Sequence, residues 1–186
     1  MKNMKKLVAL LLAMCIATSL AACGPQESET SDNLGEVSST NPVSDDQAAA
    51  DEVSKMIDAI YVQERNENTD EECEAAKAAW DALTDAQKEL VSGEFADPDY
   101  FGRDTGDASK DDSRNGDEIG ENELLVVSFG TSFNDSRVAD IKGIEDALQE
   151  ANPDWSVRRA FTAQIIINHV QARDGEKIDN VDQALE

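Results

Sequence analysis

Thr131 and Ser132 are the side chains whose position in the sequence most suggests ligand binding. They follow residues 124–129, a continuous apolar run of strand length, in a turn that begins at Gly130. Parallel sheets bind ligands outside the carboxyl ends of their strands, where hydroxyl and backbone N–H groups can meet a carboxylate. Alternatively, the two hydroxyls satisfy the backbone of a strand-to-helix turn. The sequence favours neither interpretation over the other.

Acidic and amide side chains in the segment 96–122 have part of the spacing of a calcium loop. The first half of such a loop would place its ligands and glycine at Asp111, Ser113, Asn115, Gly116 and Asp117. The closing bidentate glutamate would fall on Asn122, and no amphipathic helix leads into the segment, which favours a solvated linker. His169 is the only histidine, and one imidazole without partners forms no divalent site, so we expect a partly exposed helix histidine. We therefore assign no metal ligand.

The cysteines indicate export and acylation. Lysines precede the apolar run 7–20, which is shorter than the roughly 20 residues of a membrane span and is typical of a secretory signal. The run ends in Leu20-Ala-Ala-Cys23, which resembles a lipobox, where the cysteine thiol receives a diacylglycerol and becomes the new N-terminus. We predict a signal peptide at 1–22 and a lipid anchor at Cys23, on the extracytoplasmic face of the cell membrane. Cys73 would pack as a small apolar residue in a helix.

The charge of the chain excludes one class of partner. The sequence has 16 basic and 40 acidic residues, a net charge of −24. Phosphate binding needs clustered lysine and arginine, so we expect no nucleic acid partner. The charge favours solubility but indicates no particular chemistry.

The elements that would position Thr131 and Ser132 form an α/β unit. Strands at 124–129 and 155–161 flank a helix over about 135–150, which predicts a parallel βαβ unit with a right-handed crossover. The inward face of that helix would consist of Val138, Ile141, Ile144 and Leu148. Thr162 would cap the next helix, Asp174-Gly175 would close it, and Asp179 would cap a third. Both faces of the first strand should be covered, because its apolar run is continuous.

Three unlike segments precede this unit. Residues 23–46 have the composition of a disordered tether, 47–95 have helical periodicity, and 96–122 form an acidic linker. The helical module would bury two apolar faces, formed by Val53, Met56, Ile57, Ile60 and Tyr61 and by Cys73, Ala76, Trp80 and Leu83. Thr69 with Glu72 and Thr84 with Gln87 have the spacing of capping boxes, and the short helix at Thr84 would carry Leu90 and Val91 as far as Gly93.

The α/β unit resembles a known enzyme family over residues 121–186. The similarity lies in Leu124-Leu-Val-Val-Ser-Phe-Gly-Thr-Ser132, Arg159-Ala-Phe-Thr162, Ile165-Ile166 and Arg173-Asp-Gly175. In this order and spacing they resemble the opening of the anaerobic cobalt chelatases of the CbiK type. The fold class implied is a chelatase-like parallel βαβα unit, preceded by a small all-α module and acidic linkers.

The resemblance implies insertion of cobalt, as a substrate, into the tetrapyrrole sirohydrochlorin in cobalamin biosynthesis. Thr131 and Ser132 would then meet a tetrapyrrole carboxylate. The family's metal-binding histidines and glutamate lie downstream of the matched part and have no counterpart here, so we assign no catalytic residue. We expect a fragment that is inactive and poorly folded by itself, since two strands cannot bury both faces of a parallel sheet.

Two other interpretations remain open. One is an exported lipoprotein that binds a tetrapyrrole or metal without catalysis, because the anchor lies across the membrane from the expected source of the substrate. The other is a surface interaction module formed by residues 47–95.

Overall fold

A computed structural model describes residues 42–186, with side chains from residue 45 onward. The predicted signal peptide, Cys23 and most of the predicted tether lie outside the described residues. Those that are described belong to one compact unit. Its helices are α1 (Pro42–Ile60), α2 (Thr69–Ala82), α3 (Asp85–Lys88), α4 (Asn134–Ser136), α5 (Lys142–Ala151) and α6 (Gln164–Asp174). Between residues 42 and 186, no helix is both long and apolar enough to cross a bilayer.

The helical module packs as its periodicity predicts. α1 begins at Pro42, earlier than the predicted start at residue 47. Its residues Val53, Ile57 and Ile60 are buried against α2, where Cys73, Ala76 and Trp80 face inward. Cys73 is fully buried, and burial raises the pKa of its thiol to about 12. The prediction that Cys73 packs as a small apolar residue is confirmed.

One predicted capping box is present and the other is not. The Thr84 hydroxyl accepts the N–H of Gln87, and the Gln87 side chain accepts the N–H of Thr84. The box at Thr69 is wrong, because Thr69 is already the first residue of α2. Its hydroxyl instead accepts the N–H of Asn66, at 2.9 Å, which closes the turn before the helix. α3 ends at Lys88, so Leu90 and Val91 follow it rather than lying within it.

The α/β unit is a two-stranded parallel sheet with helices. β1 (Glu123–Ser128) pairs with β2 (Ser156–Phe161) in register from end to end, which confirms the predicted α/β class. The expected burial of β1 on both faces is wrong, because Val127 is 48% exposed. A sheet with only two strands has too few neighbouring helices to cover both faces of each strand.

The helix between the strands presents only part of the predicted face: Val138, Ile141 and Leu148 are half-buried, and Ile141 packs against the apolar cluster around Phe161, whereas Ile144 is exposed. A π-helical turn over Arg137–Ile141 lies between α4 and α5, and there the N–H of Lys142 bonds to the carbonyl of Arg137. This wider turn contains an extra residue, which rotates all later residues by roughly 100° relative to an unbroken α-helix. Ile144 is therefore 59% exposed, and Glu145 is fully buried in its place.

The first part of the segment 96–122, predicted as a solvated linker, is packed through buried residues between 96 and 105, whereas most of residues 106–122 are exposed as predicted. Tyr100 and Phe101 are buried, and the Phe101 ring lies 5.7 Å from the ring of Trp80 in an edge-on arrangement. Ala96 and Thr105 are buried beside them. Apolar burial of this aromatic pair outweighs the acidic composition that suggested a linker.

Side chains and loops cover the outer edge of β2. The Asn115 amide accepts the N–H of Arg159 at 2.9 Å and donates to its carbonyl at 2.8 Å, as a neighbouring strand would. The N–H of Phe161 bonds to the carbonyl of Asp179. The predicted capping role of Asp179 is wrong, because no helix begins directly after it. The third helix is reduced to the 3₁₀ turn Gln183–Leu185.

α6 also departs from the prediction at one end. Its first turn follows Ala163 rather than Thr162, and no side chain caps it. Its other end is as predicted, because Gly175 has the left-handed φ of 73° that terminates many helices.

α6 joins the helical module to the α/β unit. The Cys73 thiol lies 3.5 Å from the carbonyl of Asn168, and Gln171 donates to the carboxylate of Asp70 at 2.8 Å. Lys177 bonds to the same carboxylate. The hydrogen bond from Gln171 above all, and then the one from Lys177, hold the pKa of Asp70 far below its usual value. The two predicted modules are therefore joined through α6. Its Ala172 belongs to the apolar core of the helical module, whereas Ile167 and Val170 belong to a second apolar cluster with Phe161 and Ile178.

Candidate functional site

The turn after β1 is built around Gly130. Its φ of 93° is left-handed, and a side chain there would collide with the Phe161 ring, so glycine is required. The Thr131 hydroxyl accepts the N–H of Phe133 at 3.1 Å. For Thr131, the structure thus contains the backbone-satisfying contact that was one of its two interpretations.

Ser132 lies at the mouth of a cavity beside α6. Its carbonyl accepts a hydrogen bond from Arg173 at 2.7 Å, and Arg173 also donates to the side chains of Asn134 and Asp174. The arginine thereby fixes the turn after β1 against the end of α6. Of the two predicted ligand-binding residues, Ser132 borders this cavity and Thr131 does not.

The cavity lies between the helical module and the α/β unit and has a volume of about 200 Å³. One wall comes from the α/β unit and consists of Ser132, Phe133, His169 and Arg173. The other wall comes from the helical module and the segment that follows it, and consists of Tyr61, Phe95, Asp97, Asp99, Tyr100, Arg103 and Thr105. Typical small-molecule pockets measure roughly 300–1,000 Å³. This cavity is therefore large enough for one ring rather than for a complete macrocycle.

Two stacked ring pairs form the apolar walls. Tyr61 and Phe95 stack with ring centroids 3.9 Å apart, and Tyr100 and His169 stack at 4.1 Å. Phe133 is 45% exposed beside them. Flat walls of this kind favour planar ligands.

Asp58 holds the loop that positions Phe95. Its carboxylate accepts the backbone N–H groups of Glu94, Phe95 and Ala96 at 2.8–3.0 Å. Burial opposes ionisation, but these three bonds together keep the pKa of Asp58 below its usual value. Any side chain at Gly93 would collide with Asp58, so this loop has little freedom.

His169 is neutral at pH 7 in this setting. Burial, with help from nearby Arg173, lowers the pKa of His169 to about 4. Its Nε2 lies 2.7 Å from the carbonyl of Tyr100, which can only accept, so Nε2 carries the proton. The half-buried position agrees with the partly exposed helix histidine that we predicted.

A second polar cluster is buried under the π-helical turn. Arg159 donates to both Glu145 and Asp111, and Arg137 donates to Asp111 at 2.6 Å. Glu145, Arg137 and Arg159 are 0–1% exposed. Burial alone would raise the pKa of Asp111, but its bonds to Arg159 and Arg137 keep that pKa below its usual value. Removing one partner of an ion pair this deeply buried strongly destabilises the fold, because the other charge is left unpaired.

The residues of the partial calcium loop are engaged in this cluster and in the edge of β2. Asp111 faces the two arginines, Asn115 bonds to the backbone of Arg159, and Asp117 bonds to Arg158. Within residues 42–186, no group of three or more histidine, cysteine or acidic side chains could hold a metal ion.

The cavity wall from the helical module was missed by sequence reasoning. Tyr100 and Phe101 were the available signal, because two adjacent aromatic residues in an acidic, glycine-containing stretch are unusual for a solvated linker. Arg103 gave no signal of its own. Its role depends on the tertiary contact between the module and α6.

The α/β unit is similar in sequence to cobalt chelatases. Residues 122–186 match the family described as Cobalt chelatase (CbiK). Over 63 residues the chain is 46% identical to the sirohydrochlorin cobaltochelatase of Salmonella typhimurium strain LT2, a stretch that is 34% of this chain and 24% of that relative. The chain thus spans about a quarter of the length of this curated relative. No solved structure matches the chain significantly.

Proposed function

We propose that this chain is a lipid-anchored, cobalt chelatase-like protein that binds a tetrapyrrole of the sirohydrochlorin class at the carboxyl end of β1. The observation that carries the proposal is the match of residues 122–186 to cobalt chelatases, within which Ser132 borders the cavity. Ser132 would contact a carboxylate of the tetrapyrrole, whereas the Thr131 hydroxyl is engaged with the N–H of Phe133 and would shape the turn. Cobalt enters as the metal substrate of the reaction that the relative's name describes.

The second part of the proposal concerns catalysis. The matched stretch is 24% of the relative, so the match does not carry the activity in the relative's name over to this chain. We therefore propose that this chain binds the tetrapyrrole and does not insert cobalt by itself. Neutral imidazoles and carboxylates are the groups expected to bind Co²⁺ and accept pyrrole protons in such a reaction.

Tetrapyrrole binding is tested by titrating the full chain in detergent with sirohydrochlorin and following quenching of Trp80 and Trp155. We expect saturable quenching, and a Kd roughly tenfold weaker for Ser132→Ala, because one hydrogen bond to a charged group is lost. Ser113→Ala removes an exposed serine away from the cavity and should bind as the unaltered chain does. A flat titration with the unaltered chain overturns the proposal.

Insertion is tested separately. Sirohydrochlorin and Co²⁺ are mixed with the chain, and the absorbance change on metal insertion is followed beside the Salmonella relative as a positive control. We expect insertion by the relative and none by this chain. Insertion by the chain alone would overturn the second part of the proposal and leave binding intact.

The lipid anchor is a third part, supported by the sequence Leu20-Ala-Ala-Cys23 after an apolar run. Cells that express the chain are labelled with a radioactive fatty acid. Cys23→Ser should abolish labelling and keep the signal peptide attached, whereas Cys73→Ser should be labelled normally. Labelling that survives in Cys23→Ser contradicts the anchor.

A further inference from the structure

The cavity between the helical module and α6 has the size of a single substituted ring. Its volume is about 200 Å³, below the roughly 300–1,000 Å³ of pockets that enclose drug-sized ligands. A tetrapyrrole that approaches Ser132 could therefore insert one of its rings, while the rest of the macrocycle stays outside.

The walls suit a flat, electron-rich ring. Two stacked pairs, Tyr61 with Phe95 and Tyr100 with His169, present aromatic surfaces. Phe133 at the rim is 45% exposed and could cover an inserted ring. Offset or edge-on contacts between aromatic rings contribute beyond the apolar area that they bury.

Arg103 provides a cation at the rim that a ligand carboxylate could engage. Its side chain is 51% exposed, and its contact with the 70% exposed Asp99 is long, at 3.4 Å. Arg173, by contrast, is 8% exposed and already bonded to Asp174 and Ser132. An exposed ion pair of this length is weak, so a carboxylate could displace Asp99 from Arg103 at little cost.

We propose that Tyr61 and residues 95–105, which pack on the helical module, complete this cavity as a subsite for one pyrrole ring of the tetrapyrrole and its carboxylate arm, with Arg103 binding the carboxylate and Phe133 covering the ring. The inference rests on the proposed tetrapyrrole binding and extends it to residues outside the chelatase-like segment. This upstream wall would thereby select carboxylated pyrroles.

The test uses a ligand that only the subsite should hold. Porphobilinogen is a single pyrrole with one acetate and one propionate arm, and it is titrated against the full chain by calorimetry and by NMR of His169, the only histidine. We expect saturable binding that shifts the His169 ring signals. Arg103→Gln and Phe133→Ala should each weaken its Kd roughly tenfold. Lys110→Gln removes an exposed cation away from the cavity and should change nothing.

Sirohydrochlorin titrations of the same variants separate this inference from the proposed function. We expect Arg103→Gln and Phe133→Ala to weaken tetrapyrrole binding as well. If sirohydrochlorin binds equally to these variants and porphobilinogen does not bind, the subsite is overturned and tetrapyrrole binding stands. If neither ligand binds the unaltered chain, both proposals fail. If porphobilinogen alone binds, the proposed function fails, and so does a subsite for a ring within a macrocycle.

Discussion

Asn168 in α6 donates its side-chain amide to the backbone carbonyl of Ile60, the last residue of α1, at 2.8 Å. Asn168 is fully buried, and its own side-chain oxygen accepts a hydrogen bond from Gln164 at 2.8 Å. The carbonyl at the end of α1 has no later helical turn to bond to it, so this amide supplies its partner. A residue of the chelatase-like segment thus completes a helix of the upstream module.

Replacing Asn168 should therefore weaken the whole unit. Asn168→Leu keeps the approximate size but leaves the Ile60 carbonyl and the Gln164 amide without partners. We expect the free energy of unfolding in urea to fall by about 1–3 kcal/mol. Asn122→Ala, at an exposed asparagine, should change it by less than about 0.5 kcal/mol. An Asn168→Leu chain as stable as Asn122→Ala would mean that this bond contributes nothing.

The contacts of α6 with both parts predict that the helical module and the α/β unit unfold together. Trp80 lies in α2, whereas Trp155 immediately precedes β2, so each tryptophan reports on one part. Trp155→Phe leaves Trp80 as the fluorescent probe, and Trp80→Phe leaves Trp155. In each variant, we expect the urea midpoint from fluorescence to coincide with that from far-UV circular dichroism. Two separated transitions would show that the modules are independent.

Local features of this fold could be predicted, and the tertiary ones could not. Apolar spacing placed Val53 and Ile57 in the core, and the Thr84 box formed as expected, because these signals depend on residues within one or two turns. Ile144 was assigned to the wrong face because nothing in the local pattern indicates a π-helical turn.

The candidate site divides in the same way. Ser132 could be named as a candidate because it follows a recognisable strand, at a position where parallel sheets often bind ligands. Tyr61 and Arg103 could not, because the cavity exists only where the module meets α6. The acidic composition of the segment 96–122 predicted a solvated position for Asp111. That prediction was wrong, because a carboxylate in an acidic segment gives no indication of the distant arginines that it contacts.

Asp111 should be essential to stability despite lying in an acidic stretch. Asp111→Ala would leave the buried Arg137 and Arg159 without one of their carboxylates. We expect the free energy of unfolding to fall by about 3 kcal/mol or more, because breaking a buried ion pair isolates a charge.

A control from the same stretch distinguishes this from general sensitivity of the segment. Glu118 is exposed, so Glu118→Ala should alter stability by less than about 0.5 kcal/mol. Equal effects of the two substitutions in urea unfolding would contradict a specific role for Asp111.

His169 makes the stability of the fold depend on pH near neutrality. Its ordinary pKa is 6.5, and burial lowers the pKa in the folded chain to about 4. Between these values the unfolded chain binds a proton that the folded chain does not, so stability falls as the pH falls from 6.5 towards 4. The pKa values of acidic groups such as Asp70 and Asp111 lie lower still, so the first part of this decline belongs to His169.

Two measurements test this assignment. Because the chain has one histidine, NMR of its ring signals should give a pKa of about 4 without ambiguity. Urea unfolding of the unaltered chain between pH 7 and 5.5 should show declining stability, whereas His169→Gln, which can still donate to the Tyr100 carbonyl, should have a flatter profile. A measured pKa near 6.5, or equal slopes for the two chains, would mean that water reaches the ring and that the stacked pair with Tyr100 does not close that wall of the cavity.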